Sequence, residues 1–168
     1  MKTIVADVRY AELRDAEALS NIHATAWRGA YGGLIPHRAL NGMIARRGPD
    51  WWRRALGGRA AILTLDYDGR TAGYATIGRN RTAALLAEGE IYEIYLLPEF
   101  QGVGFGRHLF EAARSVLAAR KLKGLAVWAL EDNTRAMEFY QALGGADVAA
   151  GTEAFDGVTL SKVAFVWS

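Results

Sequence analysis

The chain contains no cysteine. Disulfides, thiolate metal sites and a cysteine nucleophile are therefore excluded. Histidine is scarce as well. His23, His37 and His108 are the full set, far apart and without the His-x-x-x-His spacing of a helical zinc site, so no metal is expected. A surplus of one charge is also missing. Twenty basic against 18 acidic residues leave a formal +2, too small and too scattered to suggest a nucleic-acid partner. No apolar run approaches the length of a membrane span. The opening MKTIVADVRY carries charges early and lacks the apolar core of a signal peptide. A soluble, cytoplasmic protein with no membrane partner is the expectation. Repeats, low-complexity tracts and linkers are absent too, so residues 1–168 read as one domain.

What is present favours a packed core. About half the residues, 51%, are apolar in a chain of 168, enough to bury a sizeable interior. TIVADVR reads as a first strand. From Arg14 the period becomes helical, with Leu13, Ala16, Leu19, Ile22, His23, Ala26 and Trp27 on one face and Asp15 and Glu17 near the positive end. YGGLIP breaks that helix, and residues 37–56 are helical but interrupted at RRGPDWW, where Pro49 disfavours helix at Gly48. AAILTLDY and TAGYATI form a hairpin around Asp68-Gly69. EIYEIYLLP is a long strand ended by Pro98. A helix over 104–121 carries a stripe of Leu109, Ala113, Val116 and Leu117. Strand LAVWAL follows. A helix then starts near Asn133, with Ala136, Met137, Phe139, Tyr140 and Leu143 in period and Gly144 as its stop. GADVAAG and VTLSKVAFVW close the chain as strands around the turn AFDG. The order is strand, two helices, three strands, helix, strand, helix, two strands. It implies a mixed α/β sheet, antiparallel in its first half, with one parallel pair made by a right-handed crossover.

The stretch PEFQGVGFGRHLF puts Gly102, Gly104 and Gly106 directly before and into that helix. Their amides, with the helix's unpaired N–H groups and dipole, can cradle a phosphate. The same glycines can also simply let strand and helix pack closely. Two phosphate loops fail here. The dinucleotide fingerprint needs glycine where Arg107 stands, and no acidic ribose partner follows about 20 residues on. The P-loop needs Lys-Ser/Thr after the glycines, and neither is present.

Gln101, Gly104 and Gly106 do fill the pattern Gln/Arg-x-x-Gly-x-Gly/Ala. At this point the sequence resembles the GNAT superfamily of acyl-CoA-dependent N-acetyltransferases, of the bacterial small-molecule or protein type. EIYEIYLLPEFQGVGFGRHL resembles its strand, turn, pyrophosphate loop and helix. NTRAMEFYQALG resembles its later Asn-x-x-Ala-x-x-Phe-Tyr helix, and HATAWRGAYGGLIP a common N-terminal helix and turn. The resemblance implies a GNAT-like fold: a central, mostly antiparallel twisted sheet with one parallel pair splayed around the cofactor, flanked by helices. It implies acetyl-CoA as cosubstrate, its diphosphate on the loop of Gln101, Gly102, Val103, Gly104, Phe105, Gly106 and Arg107. The pantetheine arm would run along Ile94, Tyr95 and Leu96 as an added strand does, with Asn133 hydrogen-bonding the cofactor. Homodimers are common in that family.

The resemblance also implies roles. Tyr140 would protonate the departing thiolate, since a phenol near ~10 stays protonated where a thiol near ~8.5 is losing its proton. The amine must lose a proton to attack, and Glu90 and Glu93 are the candidate bases. Spaced three apart on one strand, they are expected on opposite faces, with only one toward the cleft. Glu90, eleven residues before Gln101, matches the base of histone-type members. Trp128 stands where protein-N-terminus-modifying members carry Glu. Transfer would be direct, with the backbone N–H near Leu96 stabilising the oxyanion. The acceptor would be a small-molecule or peptide amine, in a site drawn from Trp27, Tyr31, Trp51, Trp52 and Phe155. A non-catalytic acyl-CoA-binding regulatory module is the alternative.

Overall fold

Turn chemistry and strand propensity lay out a single sheet. The computed structural model describes residues 5–168. The expected first strand begins at Thr3, and its first two residues lie outside the described residues. Strand β1 spans Asp7–Tyr10, followed by α1 (Ala16–Tyr31), α2 (His37–Arg46) and α3 (Pro49–Leu56). Then come β2 (Ala61–Tyr67), β3 (Arg70–Arg79), β4 (Gly89–Leu96), α4 (Phe105–Ala119), β5 (Leu125–Leu130), α5 (Thr134–Ala142), β6 (Ala146–Phe155) and β7 (Val158–Trp167). The strands pair in the order β1-β2-β3-β4-β5-β7-β6. Every neighbouring pair is antiparallel except β4 with β5.

The local causes are mostly those the sequence carries. Asp68 and Gly69 turn the β2–β3 hairpin with φ of 51° and 75°, the left-handed pair a tight hairpin demands. Pro49 occupies the first turn of α3, where its missing N–H costs nothing. Because Gly48 is extended there, residues 37–56 form two helices, so three helices rather than two precede the hairpin. Asn133 caps α5, its Oδ1 accepting the Ala136 N–H at 3.2 Å. The closing hairpin is longer than GADVAAG suggests, since β6 continues to Phe155 and turns at Asp156-Gly157.

Helices cover both faces. Tyr95 of β4 packs on Trp27 of α1 with ring centroids 6.4 Å apart. A Cβ placed on Gly106 of α4 would lie 3.5 Å from Cδ1 of Leu96 of β4. Neighbouring strand residues point to opposite faces, so α1 and α4 lie on opposite sides. Helix α4 buries Leu109, Phe110, Ala113 and Leu117 completely or nearly so. Val116, expected in that stripe, is only half-buried, and Phe110 takes the place. Each such large side chain contributes about 1.5–3 kcal/mol by leaving water.

Two features of β4 set up the site. First, β4 and β5 pair only at Gly89↔Leu125 and Glu90↔Ala126. Beyond that, β4 stays on β3 as far as Leu96 and β5 on β7 as far as Leu130, so the parallel pair opens into a V. Second, the β3–β4 register jumps from Thr76↔Glu93 to Ile77↔Ile91. Tyr92 is an extra residue, a bulge that bends the strand.

Candidate active site

The open V leaves backbone groups without a sheet partner. The Leu97 N–H donates to the Ala72 carbonyl at 2.9 Å. Successive residues turn their amides to opposite edges, so Leu96 and Ile94 face the edge that β5 has left. The Gln101 side chain donates to the Leu96 carbonyl at 3.1 Å, tying the following loop to the strand end. The Leu96 N–H remains directed at the gap.

The loop supplies a second set of free donors. Gly102 and Gly104 have φ of 80° and 91°, values that L side chains rarely adopt. The first helical bond of α4 runs from the His108 N–H to the Gly104 carbonyl at 3.1 Å. The amides of Phe105, Gly106 and Arg107 therefore have no acceptor within the helix. No acid stands in the first turn. A Cβ on Gly102 or Gly104 would meet no atom within 4 Å, so the space above the loop is open. These features fit a diphosphate carried on a chain of amides.

Gly106 does something else. A Cβ there would lie 3.1 Å from Cε2 of Phe139, so its bareness lets α4 pack against α5. Gly106→Ala is expected to destabilise the fold by about 1–3 kcal/mol, seen as a lower urea midpoint. An unchanged midpoint would show that Phe139 yields freely.

Tyr140, 6% exposed, sits among Phe139, Phe165 and Trp167 at ring-centroid distances of 5.3, 5.7 and 6.1 Å. Among the described residues no hydrogen bond engages its hydroxyl. Burial pushes the phenol well above its ordinary value, and the nearby Tyr31 adds to that. The group is a proton donor at any physiological pH.

Beside the V lies a cleft of about 860 Å³, within the ~300–1,000 Å³ usual for small-molecule sites. Its aromatic lining is Trp27, Tyr31, Tyr92, Tyr95, Trp128 and Phe155. The Tyr31 and Tyr95 hydroxyls are 2.8 Å apart. Burial raises the Tyr31 phenol, partly offset by that bond. Trp27, Tyr31 and Phe155, three of the five aromatics expected to surround an acceptor, line this one cleft. Trp51 and Trp52 do not line this cleft, which corrects the expectation for them. Trp52 is fully buried against Tyr74 at 5.0 Å, and both tryptophans stack on the Arg47 guanidinium, at 4.2 and 4.7 Å.

The two glutamates also depart from expectation. They do not take opposite faces. The bulge resets the alternation, so Tyr92 and Glu93 both line the cleft. Glu90, two positions before Tyr92, shares their side. Its carboxylate is nonetheless enclosed, 1% exposed and bound by the Arg81 backbone N–H at 2.9 Å and guanidinium at 2.8 Å. Glu93 reaches the cleft and takes both arms of Arg47 at 2.7 Å, with the Tyr74 and Thr76 hydroxyls at 3.4 Å. The sequence reading missed Arg47, which lies 46 residues away. It also missed Arg81 as the partner of Glu90.

His23 lies behind this cluster with no exposure, 4.7 Å from Trp27 and 6.2 Å from Trp52. Burial, then Arg47, pushes its pKa down from 6.5 to about 3. The unfolded chain therefore binds a proton that the fold refuses. Stability is full above pH 6.5 and falls as pH drops toward 3, by up to ~1.4 kcal/mol per pH unit. About 2 kcal/mol is expected to be lost between pH 7.5 and 5, measured by urea unfolding. His23→Gln should flatten that slope whatever its own stability; the same slope in the variant would assign it to other groups.

Among the described residues no group of His, Asp and Glu could hold a metal, and no helix is long and apolar enough to cross a membrane. Residues 18–145 match the family described as the acetyltransferase (GNAT) family. An uncharacterized N-acetyltransferase, YuaI of Bacillus subtilis, is 33% identical over 161 residues, covering 95% of this chain and 91% of the relative. The fold resembles that of the PaiA N-acetyltransferase of Thermoplasma acidophilum, solved with coenzyme A. Its TM-score is 0.75 at 16% identity, over 95% of this chain and 98% of that one. It also resembles YncA of Salmonella typhimurium, a putative acetyltransferase solved with acetyl-CoA. There the TM-score is 0.70 at 17% identity, over 99% and 94%.

Proposed function

The chain belongs to the acetyltransferase (GNAT) family, and from that premise we propose that it moves an acetyl group from acetyl-CoA to a primary amine by direct attack in a ternary complex. The observation that carries this reading is the unpaired edge of β4 at Ile94 and Leu96 leading directly into the free amides from Gly102 to Arg107. The buried phenol of Tyr140, which senses Tyr31 of the cleft, supports it.

Acetyl-CoA supplies a thioester, whose acyl carbon is open to an amine. The chain's residues do the rest. The loop amides and the dipole of α4 receive the diphosphate. The backbone of Ile94, Tyr95 and Leu96 holds the pantetheine amides as a neighbouring strand would. Asn133 spends its Oδ1 on capping α5, turns an amide N–H to the Tyr31 hydroxyl and has the other for the cofactor. The Leu96 N–H meets charge developing on the carbonyl oxygen. Tyr140 gives its proton to the leaving sulfur. Glu93, which lines the cleft where Glu90 does not, takes the amine's proton through water. Arg47 takes two of its roughly four acceptor positions at 2.7 Å, and the water displaces one of the weaker Tyr74 and Thr76 hydroxyl contacts at 3.4 Å. The acceptor, a small molecule or peptide, enters between Trp27 and Tyr31 of α1 and the β6–β7 hairpin.

Initial rates with both substrates varied test the ternary route. Intersecting double-reciprocal lines are expected, with no acetyl group on the protein by mass spectrometry. Parallel lines with a trapped acetyl-enzyme would sink direct attack.

A further inference from the structure

We propose that the acceptor carries, besides its amine, an anionic oxygen group, a carboxylate or a phosphate, received by the guanidinium groups of Arg38 and Arg46 on α2. This rests on the acetyltransferase reading of the cleft. From Ala18 to Pro49 the chain has no Asp or Glu and four arginines, Arg28, Arg38, Arg46 and Arg47. Most of α1 and all of α2 come from that stretch, and both wall the cleft.

Most of the cleft's charges are already matched. Glu93 is held by Arg47 at 2.7 Å and Arg81 by Glu90 at 2.8 Å. Lys162 stands 3.6 Å from Glu153 and 4.7 Å from the Trp128 ring. Of the cleft's cations, Arg38 and Arg46 alone have no carboxylate within ion-pair distance among the described residues. Ala39, Gly42 and Met43 lie between them on the same wall, two of them small enough to leave the long side chains free to reach inward. The one unmatched acid is Asp156, at the hairpin turn. Two free cations against one free acid leave this cleft at +1.

Chemistry follows from that pattern. A polyamine would meet two guanidiniums and find the buried carboxylates already bound. A carboxylate or phosphate would find a forked donor that suits its geometry. Trp27, Tyr92 and Trp128 add apolar surface to the same cleft for the rest of the acceptor.

The test is calorimetric titration in the presence of coenzyme A. Phenylalanine is compared with phenylalaninamide and phenethylamine, and phosphoethanolamine with ethanolamine. The anionic member of each set is expected to bind about 10- to 100-fold tighter than its neutral or cationic analogue. Which set shows the larger ratio tells carboxylate from phosphate. In Arg38→Gln/Arg46→Gln the ratio should collapse toward one while coenzyme A affinity is kept. Equal binding across each set, tighter binding of spermidine, no binding by any of these amines, or a ratio kept in the double variant would each overturn the proposal. Acetyl transfer is scored separately with the same amines. Anion-selective binding without transfer would leave this subsite standing and sink the acetyltransferase reading. Transfer without anion selectivity would do the reverse.

Discussion

Tyr140→Phe is expected to lower kcat by about 100- to 10,000-fold, the usual worth of a positioned proton donor, while leaving the Kd for acetyl-CoA within a few-fold. The hydroxyl makes no hydrogen bond among the described residues, so removing it leaves no partner orphaned. The ring that packs on Phe165 and Trp167 is retained, so the melting temperature should barely move. Loss of rate with unchanged stability and cofactor affinity therefore isolates the proton. Burial holds this phenol protonated, so the wild-type rate should show no fall with rising pH that traces to Tyr140 below pH 10. A variant within three-fold of wild type would remove Tyr140 from the chemistry and leave it as a core residue.

The second large effect is expected at Gly104→Val, which should weaken coenzyme A binding by at least about 100-fold. Two causes act together. The φ of 91° is costly for a β-branched residue, on the order of 1–3 kcal/mol. The added methyls also project into the open space above the loop amides, where no atom lies within 4 Å. Gly69→Val separates the two. Gly69 has φ of 75° and equally open surroundings, but in the β2–β3 turn. It should lose comparable stability and keep its coenzyme A affinity. Equal affinity in folded Gly104→Val and wild type would remove the loop from cofactor binding.

What could be read from the sequence was local. Asp68-Gly69 announced a hairpin, Asn133 a helix cap, and Pro49 a break, because each acts through its own backbone. The shape of the glycine loop was legible for the same reason, since positive-φ glycines before a helix are a local event. The second role of Gly106, letting α4 approach Phe139 of α5, was not legible, because it depends on a different helix. The bulge at Tyr92 was invisible, because an extra residue exists only relative to the pairing of β3. Counting three positions from Glu90 to Glu93 assumed an unbroken strand, and the bulge reversed the answer. Arg47 and Glu93 meet across 46 residues, with no spacing rule to join them. The tryptophans of α3 looked available for a ligand because one short helix cannot show what it packs on. Tyr74 and Arg47 cover them.

The central claim is that the gap between β4 and β5, closed by the glycine loop, presents acetyl-CoA to an amine. Its most direct test is release of free coenzyme A thiol from acetyl-CoA by the purified protein with cationic, neutral and anionic amines, alongside mass detection of the N-acetylated product. Thiol released in step with acetylated amine, and suppressed in Tyr140→Phe, is the predicted result. Tight coenzyme A binding with no amine-dependent thiol release across all three classes would contradict it and make the chain a cofactor-binding module instead.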